Sequence, residues 1–223
     1  MLHVHYFITR KTGLDDADFH RYWRDTHGPI VTAIRQLRRY VQSHRIALAG
    51  TNSPYDGEAE VLVDSLEALA DLRQSPEYRE GALHDEHNFI DLTRVEWMVT
   101  RDRPIVDEAV DSSMVKAIWQ LKRKPGMGLE EFRRYWIECH GPLGRAMPGL
   151  RRYIQSHLID EAYLYAEPRH DGVAQLWFDN IDALRAAFAS SEGRALNADG
   201  ANFIEPSNTR YFIAQEHIII PAR

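Results

Sequence analysis

The sequence repeats itself, and this duplication limits the folds that the chain can adopt more than any other feature. The segment FHRYWRDTHGP begins at Phe19, and FRRYWIECHGP begins at Phe132, 113 positions later. The same offset relates LRRYVQSH, which begins at Leu37, to LRRYIQSH, which begins at Leu150. Collinear segments at a fixed offset indicate a duplicated domain, and each copy has an ordinary domain size. The predicted boundaries are residues 1–103 for repeat 1, 104–113 for a polar linker and 114–223 for repeat 2.

Within each copy, apolar periodicity and turn residues predict the order β-α-β-β-α-β, which is the split βαβ or ferredoxin-like unit. In repeat 1 we predict strands near residues 3–11, 38–47, 59–64 and 93–100, with helices after Asp15 and near Leu66. Both helices of such a unit cover one face of the sheet, so the other face must be buried elsewhere. We therefore predict an α+β fold in which two ferredoxin-like repeats pack sheet to sheet as an intrachain pseudo-dimeric α+β barrel.

Composition excludes several classes of protein. The net charge of −6 and the pI near 6.0 argue against a nucleic-acid surface, because phosphate binding requires clustered cations. The single cysteine, Cys139, cannot form an intrachain disulfide and fits a reducing compartment. We find no secretory signal and no apolar stretch long enough to cross a bilayer. We expect a cytoplasmic protein that binds neither nucleic acid nor membranes.

A histidine followed by Gly-Pro interrupts the first helix of each copy. Proline costs about 3 kcal/mol inside a helix, so the helix should end, kink or restart at Pro29. His27 lies four residues after Trp23, on the inward stripe of that helix. A histidine with an ordinary pKa near 6.5 suits proton transfer. The alternative is a structural histidine that locks the helix break by hydrogen bonds to the backbone.

The second strand carries three polar residues at a spacing of two. Tyr40, Gln42 and His44 therefore share one face of the sheet. We assign Leu37 and Val41 to the face that the helices cover, so the polar face should look into the barrel. Buried polar groups without partners cost about 1–3 kcal/mol each. This face therefore predicts a ligand site or a hydrogen-bonded network, the alternative being polar tips that reach water at the barrel mouth.

These motifs, FxxYWxxxHGP followed by LRRYxQSH, resemble the EthD family of the dimeric α+β-barrel superfamily, here in tandem and over essentially the whole chain. The resemblance implies the ferredoxin-like fold and a ligand cavity in each half of the barrel. Relatives in the superfamily include muconolactone-type isomerases, polyketide cyclases, dehydratase-like proteins and haem-dependent oxygenases. A homodimer is plausible only because such association is common in the family.

In methylmuconolactone isomerase relatives, a histidine on the first helix and a tyrosine on the second strand face the ligand. The resemblance implies these roles for His27 with Tyr40, and for His140 with Tyr153. Those relatives also use a cysteine on the third strand, and neither copy of this chain has one. A cysteine-dependent version of the reaction is therefore not expected.

We predict a cofactor-independent lyase or isomerase that dehydrates, rearranges or cyclises a small, mostly apolar, oxygenated molecule. The alternatives are a small-molecule-binding accessory protein without turnover and a haem-binding oxygenase. The predicted catalytic residues are His27, Tyr40, His44, His140, Tyr153 and His157. The predicted substrate-binding residues are Trp23, Gln42, Glu60, Trp136 and Gln155.

Several of these assignments have structural alternatives. Trp23 fits a core position better than a ligand platform. Glu60, which is replaced by Gln175 in repeat 2, would make repeat 1 the better acid/base site if it lay near His27; otherwise it is an exposed edge residue. The HDEH segment at His84 and the pair His3 and His5 are possible metal ligands. Neither recurs in repeat 2, so we predict no metal and no cofactor.

Overall fold

A computed structural model describes residues 1–48 and 53–222 of the chain. The contacts divide it into two compact units, Met1–Val99 with Glu216–Arg223 and Thr100–Gln215. Each unit contains one copy of the repeat. Among the described residues, no helix is long and apolar enough to cross a membrane.

The first unit is built from the predicted β-α-β-β-α-β order. Strand β3 is central, since it pairs antiparallel with β1 and with β2. The elements of the first unit are β1 (Leu2–Ile8), α1 (Asp16–Tyr22), α2 (Gly28–Val31), β2 (Arg39–Arg45), β3 (Gly57–Val63), α3 (Leu66–Gln74), α4 (Leu83–Phe89) and the start of β4 (Glu96–Asp107).

The second unit repeats this order. Strand β7 pairs antiparallel with both β5 and β6, while β8 pairs with β5 and β4 with β6. The elements of the second unit are β5 (Val115–Leu121), α5 (Leu129–Tyr135), α6 (Gly141–Arg145), β6 (Leu150–Leu158), β7 (Gly172–Phe178), α7 (Ile181–Ala189), α8 (Ser191–Phe203) and β8 (Arg210–Ile220).

The hydrogen-bonded strand order is β1-β3-β2-β8-β5-β7-β6-β4, a closed antiparallel barrel. The predicted fold class, two ferredoxin-like repeats that form one barrel within the chain, is confirmed. Part of the predicted linker is strand, because β4 continues through residues 104–107. The linker boundaries themselves stay a prediction.

Local sequence signals explain where the first helix begins. The turn before it places Gly13 at φ +89°, a backbone conformation that glycine adopts at no steric cost. The Asp15 side chain then caps α1 by accepting a hydrogen bond from the Ala17 N–H at 2.8 Å. The helix packs its apolar stripe on the sheet, where Phe19 and Trp23 form a buried cluster with Phe89 of α4.

The predicted helix break is a π-helical turn. It spans Trp23–His27 and leads directly into α2, with Pro29 in the first turn of that helix. The Gly28 N–H donates to the carbonyl of Trp23, five residues earlier. This carbonyl also accepts a hydrogen bond from Gln42 Nε2 at 2.9 Å, so strand β2 braces the turn. Such turns often occur at functional sites.

The prediction that Tyr40, Gln42 and His44 look away from the helices is wrong. Tyr40 and Gln42 hydrogen-bond to Trp23 of the helical layer, and the His44 ring stacks on the Trp23 indole with centroids 4.3 Å apart. Val41 lies on the opposite face, directly across from Glu60. Both faces of β2 are buried, so apolar alternation did not show which face the helices cover.

Candidate functional site

A cavity of about 280 Å³ lies between the sheet and the helices of the first unit. Its volume is close to the lower end of the usual range for ligand pockets, about 300–1,000 Å³. Apolar side chains form most of its wall, and the polar groups are few. The polar and amphipathic residues that line it are Tyr6, Trp23, His27, Tyr40, Arg73, Tyr78, Glu86 and Trp97.

His27 reaches this cavity from the π-helical turn and is held by a carboxylate. Its Nδ1 lies 2.9 Å from Oδ2 of Asp85 on α4, and only 5% of the imidazole is exposed. Oδ1 of Asp85 accepts hydrogen bonds from the Tyr22 hydroxyl at 2.6 Å and from Asn88 Nδ2 at 3.1 Å. Because Nδ1 is engaged with Asp85, Nε2 is the ring nitrogen left to meet a ligand.

The protonation states of Asp85 and His27 suit a general base. Burial tends to raise the pKa of Asp85, but hydrogen bonds from Tyr22, His27 and Asn88 outweigh it and lower this pKa below its usual value. Asp85 is therefore a carboxylate, to which the His27 Nδ1–H donates. Burial lowers the pKa of His27 although Asp85 acts in the opposite direction. The imidazole is neutral near pH 7, with the lone pair of Nε2 available.

Tyr40 presents a hydroxyl whose acceptor positions are already in use. The oxygen accepts hydrogen bonds from Trp23 Nε1 at 3.2 Å and from Gln42 Nε2 at 3.0 Å. Burial raises the pKa of Tyr40 above its usual value, although both hydrogen bonds act to lower it. The group is therefore a neutral phenol that can donate its proton to an oxygen atom in the cavity.

One end of the cavity carries charge. Burial raises the pKa of Glu86 to about 7, with a further contribution from Asp85, while Arg73 acts in the opposite direction. The Arg73 guanidinium lies over the ring of Trp97, 5.4 Å from its centroid, and Trp97 is 50% exposed. These two side chains mark the mouth of the cavity. Glu86 is thus a second proton-carrying group on the wall that His27 lines.

The remaining predicted site residues of repeat 1 lie elsewhere. Gln42 and His44 do not line the cavity: Gln42 braces the π-helical turn, and His44 Nε2 lies 3.0 Å from the Gln42 side-chain oxygen. Burial, with nearby His217 and His20, lowers the pKa of His44 to about 2. The expectation that Glu60 lies near His27 is wrong, because its neighbours Ala59 and Val61 line the cavity and Glu60 points to the opposite face.

Repeat 2 keeps the same histidine and tyrosine geometry. His140 Nδ1 lies 2.8 Å from Asp199 Oδ2, and the Tyr135 hydroxyl donates to the same carboxylate at 2.6 Å. Trp136 Nε1 donates to the Tyr153 hydroxyl at 3.1 Å, and burial raises the pKa of Tyr153 to about 12. Gln155 Nε2 donates to the Trp136 carbonyl and to Tyr153, and His157 packs on Trp136.

The cavity of repeat 2 is much smaller, at about 90 Å³. Trp119 stacks on Tyr211 with centroids 4.6 Å apart and lies 5.6 Å from the Phe188 ring. Trp119 and Phe188 both line this smaller cavity, and counting from the shared Asp-Gly turns, Phe188 stands where repeat 1 has Arg73. The charged end is also missing: counting from the shared Asn-Phe-Ile segments, Gly200 stands where repeat 1 has Glu86. Ligand-sized space and the second acid group therefore occur together in repeat 1.

The carboxylate partners of the two histidines, Asp85 and Asp199, were not predicted from the sequence. A signal for them exists, because Asp85 and Asp199 each stand three residues before an Asn-Phe-Ile segment. The spacing Asp-x-x-Asn places both side chains on one side of a helix. Glu86 left no such signal, since it has no counterpart in repeat 2.

The comparisons with known proteins agree with the duplicated architecture. The model of the EthD domain matches residues 11–93 and 124–207, which together make up more than half of the chain. The chain belongs to the EthD family. A comparison with curated proteins found no match. Both EthD matches include the HGP segment and the Asp-x-x-Asn-Phe-Ile segment of their repeat.

Two solved structures with TM-scores above 0.5 share the fold of this tandem EthD protein, and a third is similar to part of its sequence. An anthrone oxidase-like protein matches with a TM-score of 0.69 and 11% identity, over 100% of this chain and 94% of that one. A haem-binding protein from Thermus thermophilus matches with a TM-score of 0.56 and 12% identity, over 96% and 90%. An EthD family protein from Bacillus halodurans is 25% identical over 47% of this chain and 99% of that one, with a TM-score of 0.40.

Proposed function

We propose that the protein is a cofactor-independent lyase or isomerase that acts on a small, mostly apolar, oxygenated compound, and that the cavity of repeat 1 is its active site. The observation that carries the proposal is the His27–Asp85 pair on the wall of the cavity that Tyr40 also lines. A neutral imidazole oriented by a carboxylate is a general base. A phenol that donates into an apolar cavity stabilises a developing oxyanion.

These groups support proton abstraction next to a carbonyl. His27 Nε2 takes a proton from the carbon beside the carbonyl, the C–H bond breaks, and its electron pair moves through carbon to the carbonyl oxygen. Tyr40 donates a hydrogen bond to that oxygen as negative charge develops. Asp85 stabilises the imidazolium that forms, through the Nδ1–H hydrogen bond.

The second half of the reaction decides between the two reaction types. In an isomerase, the enolate is reprotonated at another carbon, and the imidazolium can return the proton. In a lyase, a hydroxyl on the neighbouring carbon leaves and takes a proton from an acid, so that water is released. Glu86 suits that role because burial raises the pKa of its carboxyl to about 7. The carboxyl therefore still carries a proton that it can give to the leaving hydroxyl near neutral pH.

A binding protein without turnover is the second candidate, and one observation favours it. Repeat 2 keeps its histidine–aspartate pair beside a cavity of only about 90 Å³. Retention of the pair beside so small a cavity supports a structural use for it in this fold. Under this alternative, repeat 1 holds a ligand in its larger cavity and transfers no proton.

Deuterium exchange separates the two candidates. We would incubate the protein in D₂O with small cyclic ketones, lactones and β-hydroxy ketones, follow binding by ligand-observed NMR, and measure deuterium incorporation and water loss by mass spectrometry. The variants are His27→Gln and its matched control His140→Gln. Loss of one general base lowers rates by about 10²–10⁴-fold.

The expected result is exchange or elimination in the wild type that falls at least 100-fold in His27→Gln and stays within twofold in His140→Gln. Equal rates in both variants would contradict the assignment of the base to repeat 1. Compounds that bind the wild type, with neither exchange nor water loss, would support the binding protein instead. Melting temperatures of both variants show whether either histidine acts mainly in folding.

A further inference from the structure

A second group of titratable side chains lies on the other face of the first unit's sheet. Four residues make up this cluster, which we call the strand cluster: His3, His5, Glu58 and Glu60. His5 stands directly across from Glu60 in the β1–β3 register. His3 and Glu58 are each two positions away along their strands, and a spacing of two keeps side chains on one face. Sheet register alone therefore brings the four together, away from the cavity of His27.

The side chains of the strand cluster are in contact and buried. His5 Nδ1 lies 2.7 Å from Glu58 Oε1, and His3 Nε2 lies 3.3 Å from Glu60 Oε2. The two imidazole centroids are 4.0 Å apart. His5 and Glu58 are 0% exposed, and His3 and Glu60 are 6% and 5% exposed. Donor atoms of His5, Glu58 and Glu60 all lie within 4.8 Å of one another.

Repeat 2 shows that the fold does not require this cluster. In the matching register, Ile118 stands across from Gln175, as His5 stands across from Glu60. The counterparts of His3 and Glu58 are Lys116 and Val173. Strands of the same type therefore pair without imidazoles or carboxylates at these positions. The strand cluster is a property of repeat 1.

We propose that the strand cluster binds one divalent transition-metal ion of the zinc type through His5, Glu58 and Glu60, with His3 as a fourth donor. Imidazole nitrogen and carboxylate oxygen are established zinc ligands, at about 2.0–2.2 Å from the metal. Buried charged groups in proteins are paired or coordinate metals. The metal takes the place of the proton shared by His5 and Glu58, and the two side chains move slightly apart to admit it.

A hydrogen bond orients one of the proposed ligands. The Ser43 hydroxyl donates to Glu60 Oε1 at 2.8 Å, which leaves Oε2 directed at His3. Outer partners of this kind fix the orientation of metal ligands. Because the ligands come from both β1 and β3, a bound ion would link these two strands. This site is independent of proton transfer at His27, which lies on the other face of the sheet.

Metal titration of the whole chain tests the proposal. Chelator-treated protein is titrated with Zn²⁺ against a chromophoric competitor, and with Co²⁺ while visible absorption is recorded. Because the cluster is buried, both ions are also supplied during refolding from urea. The variants are His5→Ala and the conservative Glu60→Gln. The control is His84→Ala, since His84 is an exposed histidine on α4 outside the strand cluster.

We expect one equivalent of Zn²⁺ per chain, visible Co²⁺ bands of a low-coordinate site, and tighter binding at higher pH because ligand protons are displaced. We also expect Zn²⁺ to raise the melting temperature of the wild type and of His84→Ala. Affinity should fall at least 100-fold in Glu60→Gln and in His5→Ala. The proposal is overturned if folded or refolded wild type binds no stoichiometric ion. It is also overturned if a folded Glu60→Gln variant binds as the wild type does, or if His84→Ala alone loses the ion.

Discussion

Glu86 should make the stability of the protein depend on pH in a way that one substitution removes. Burial raises its pKa from 4.5 to about 7 in the folded state, whereas the unfolded chain keeps the ordinary value. A folded-state pKa above the unfolded value stabilises the fold below pH 4.5, and this contribution is lost as the pH rises through 7. Glu86→Gln keeps the shape of the side chain and cannot ionise.

The size of the effect follows from the pKa difference. A difference of one in pKa corresponds to about 1.36 kcal/mol, so full ionisation of Glu86 costs the fold about 3 kcal/mol. Between pH 5 and pH 8.5 the expected change is about 2–3 kcal/mol, because part of the ionisation in the unfolded chain already precedes pH 5. Wild type and Glu86→Gln should therefore be similar at pH 5, and the variant should be more stable at pH 8.5 by that amount.

The assay is urea unfolding of both proteins at the two pH values, with the free energies compared as a double difference that cancels all other titrating groups. Glu80→Gln serves as the control, because Glu80 is an exposed glutamate six positions before Glu86. Surface substitutions of this kind change stability by about 0.5 kcal/mol or less. A double difference near zero, or an equal one for Glu80→Gln, would refute burial of the Glu86 carboxyl in the cavity wall.

Three further outcomes follow from the packing. Tyr40→Phe and Tyr153→Phe should each lower the free energy of unfolding by about 1–3 kcal/mol in thermal melts, because a buried indole N–H loses its acceptor. Only Tyr40→Phe should also reduce turnover, and equal turnover in the two variants would contradict the choice of repeat 1. Gly57→Ala should cost about 1–3 kcal/mol in urea unfolding, since the added methyl would lie 2.5 Å from the Trp23 ring; an unchanged midpoint would contradict that contact. Phe188→Ala should enlarge the second cavity, so that xenon shifts the NMR signals of its lining methyl groups more than in the wild type.

Much of the fold could be predicted from the sequence because its strongest signal is non-local. The duplication fixes the number of repeats, and the turn and cap residues around Gly13 and Asp15 mark where the first strand ends and the first helix begins. The β-α-β-β-α-β order then requires a partner for the bare sheet face. The side of the sheet on which the polar residues of β2 lie could not be predicted in this way. Its polar residues are buried against Trp23, and its apolar Val41 is buried on the other side.

The candidate site was predicted in part. His27 and Tyr40 lie on one cavity, as the family resemblance implied, but their roles stay predictions. Asp85 was missed because it comes from a helix about 60 residues away, and only tertiary contact makes it a partner of His27. Glu86 lies in the HDEH segment, which the sequence suggested only as a possible metal site. Its place in the cavity wall could not be predicted, since no residue spacing encodes the depth of a cavity.

The unequal filling of the two copies has a consequence for how the protein opens. A cavity surrounded by side chains forfeits dispersion contacts that a packed interior would provide. The cavity of repeat 1 is about 280 Å³, whereas that of repeat 2, which Trp119 and Phe188 line, is about 90 Å³. Local stability in proteins varies between cooperative segments. Backbone amides of α3 and α4 should accordingly exchange with solvent sooner than those of α7 and α8. Duplication would thus allow repeat 1 to open locally around a ligand while the more closely packed repeat 2 stays closed.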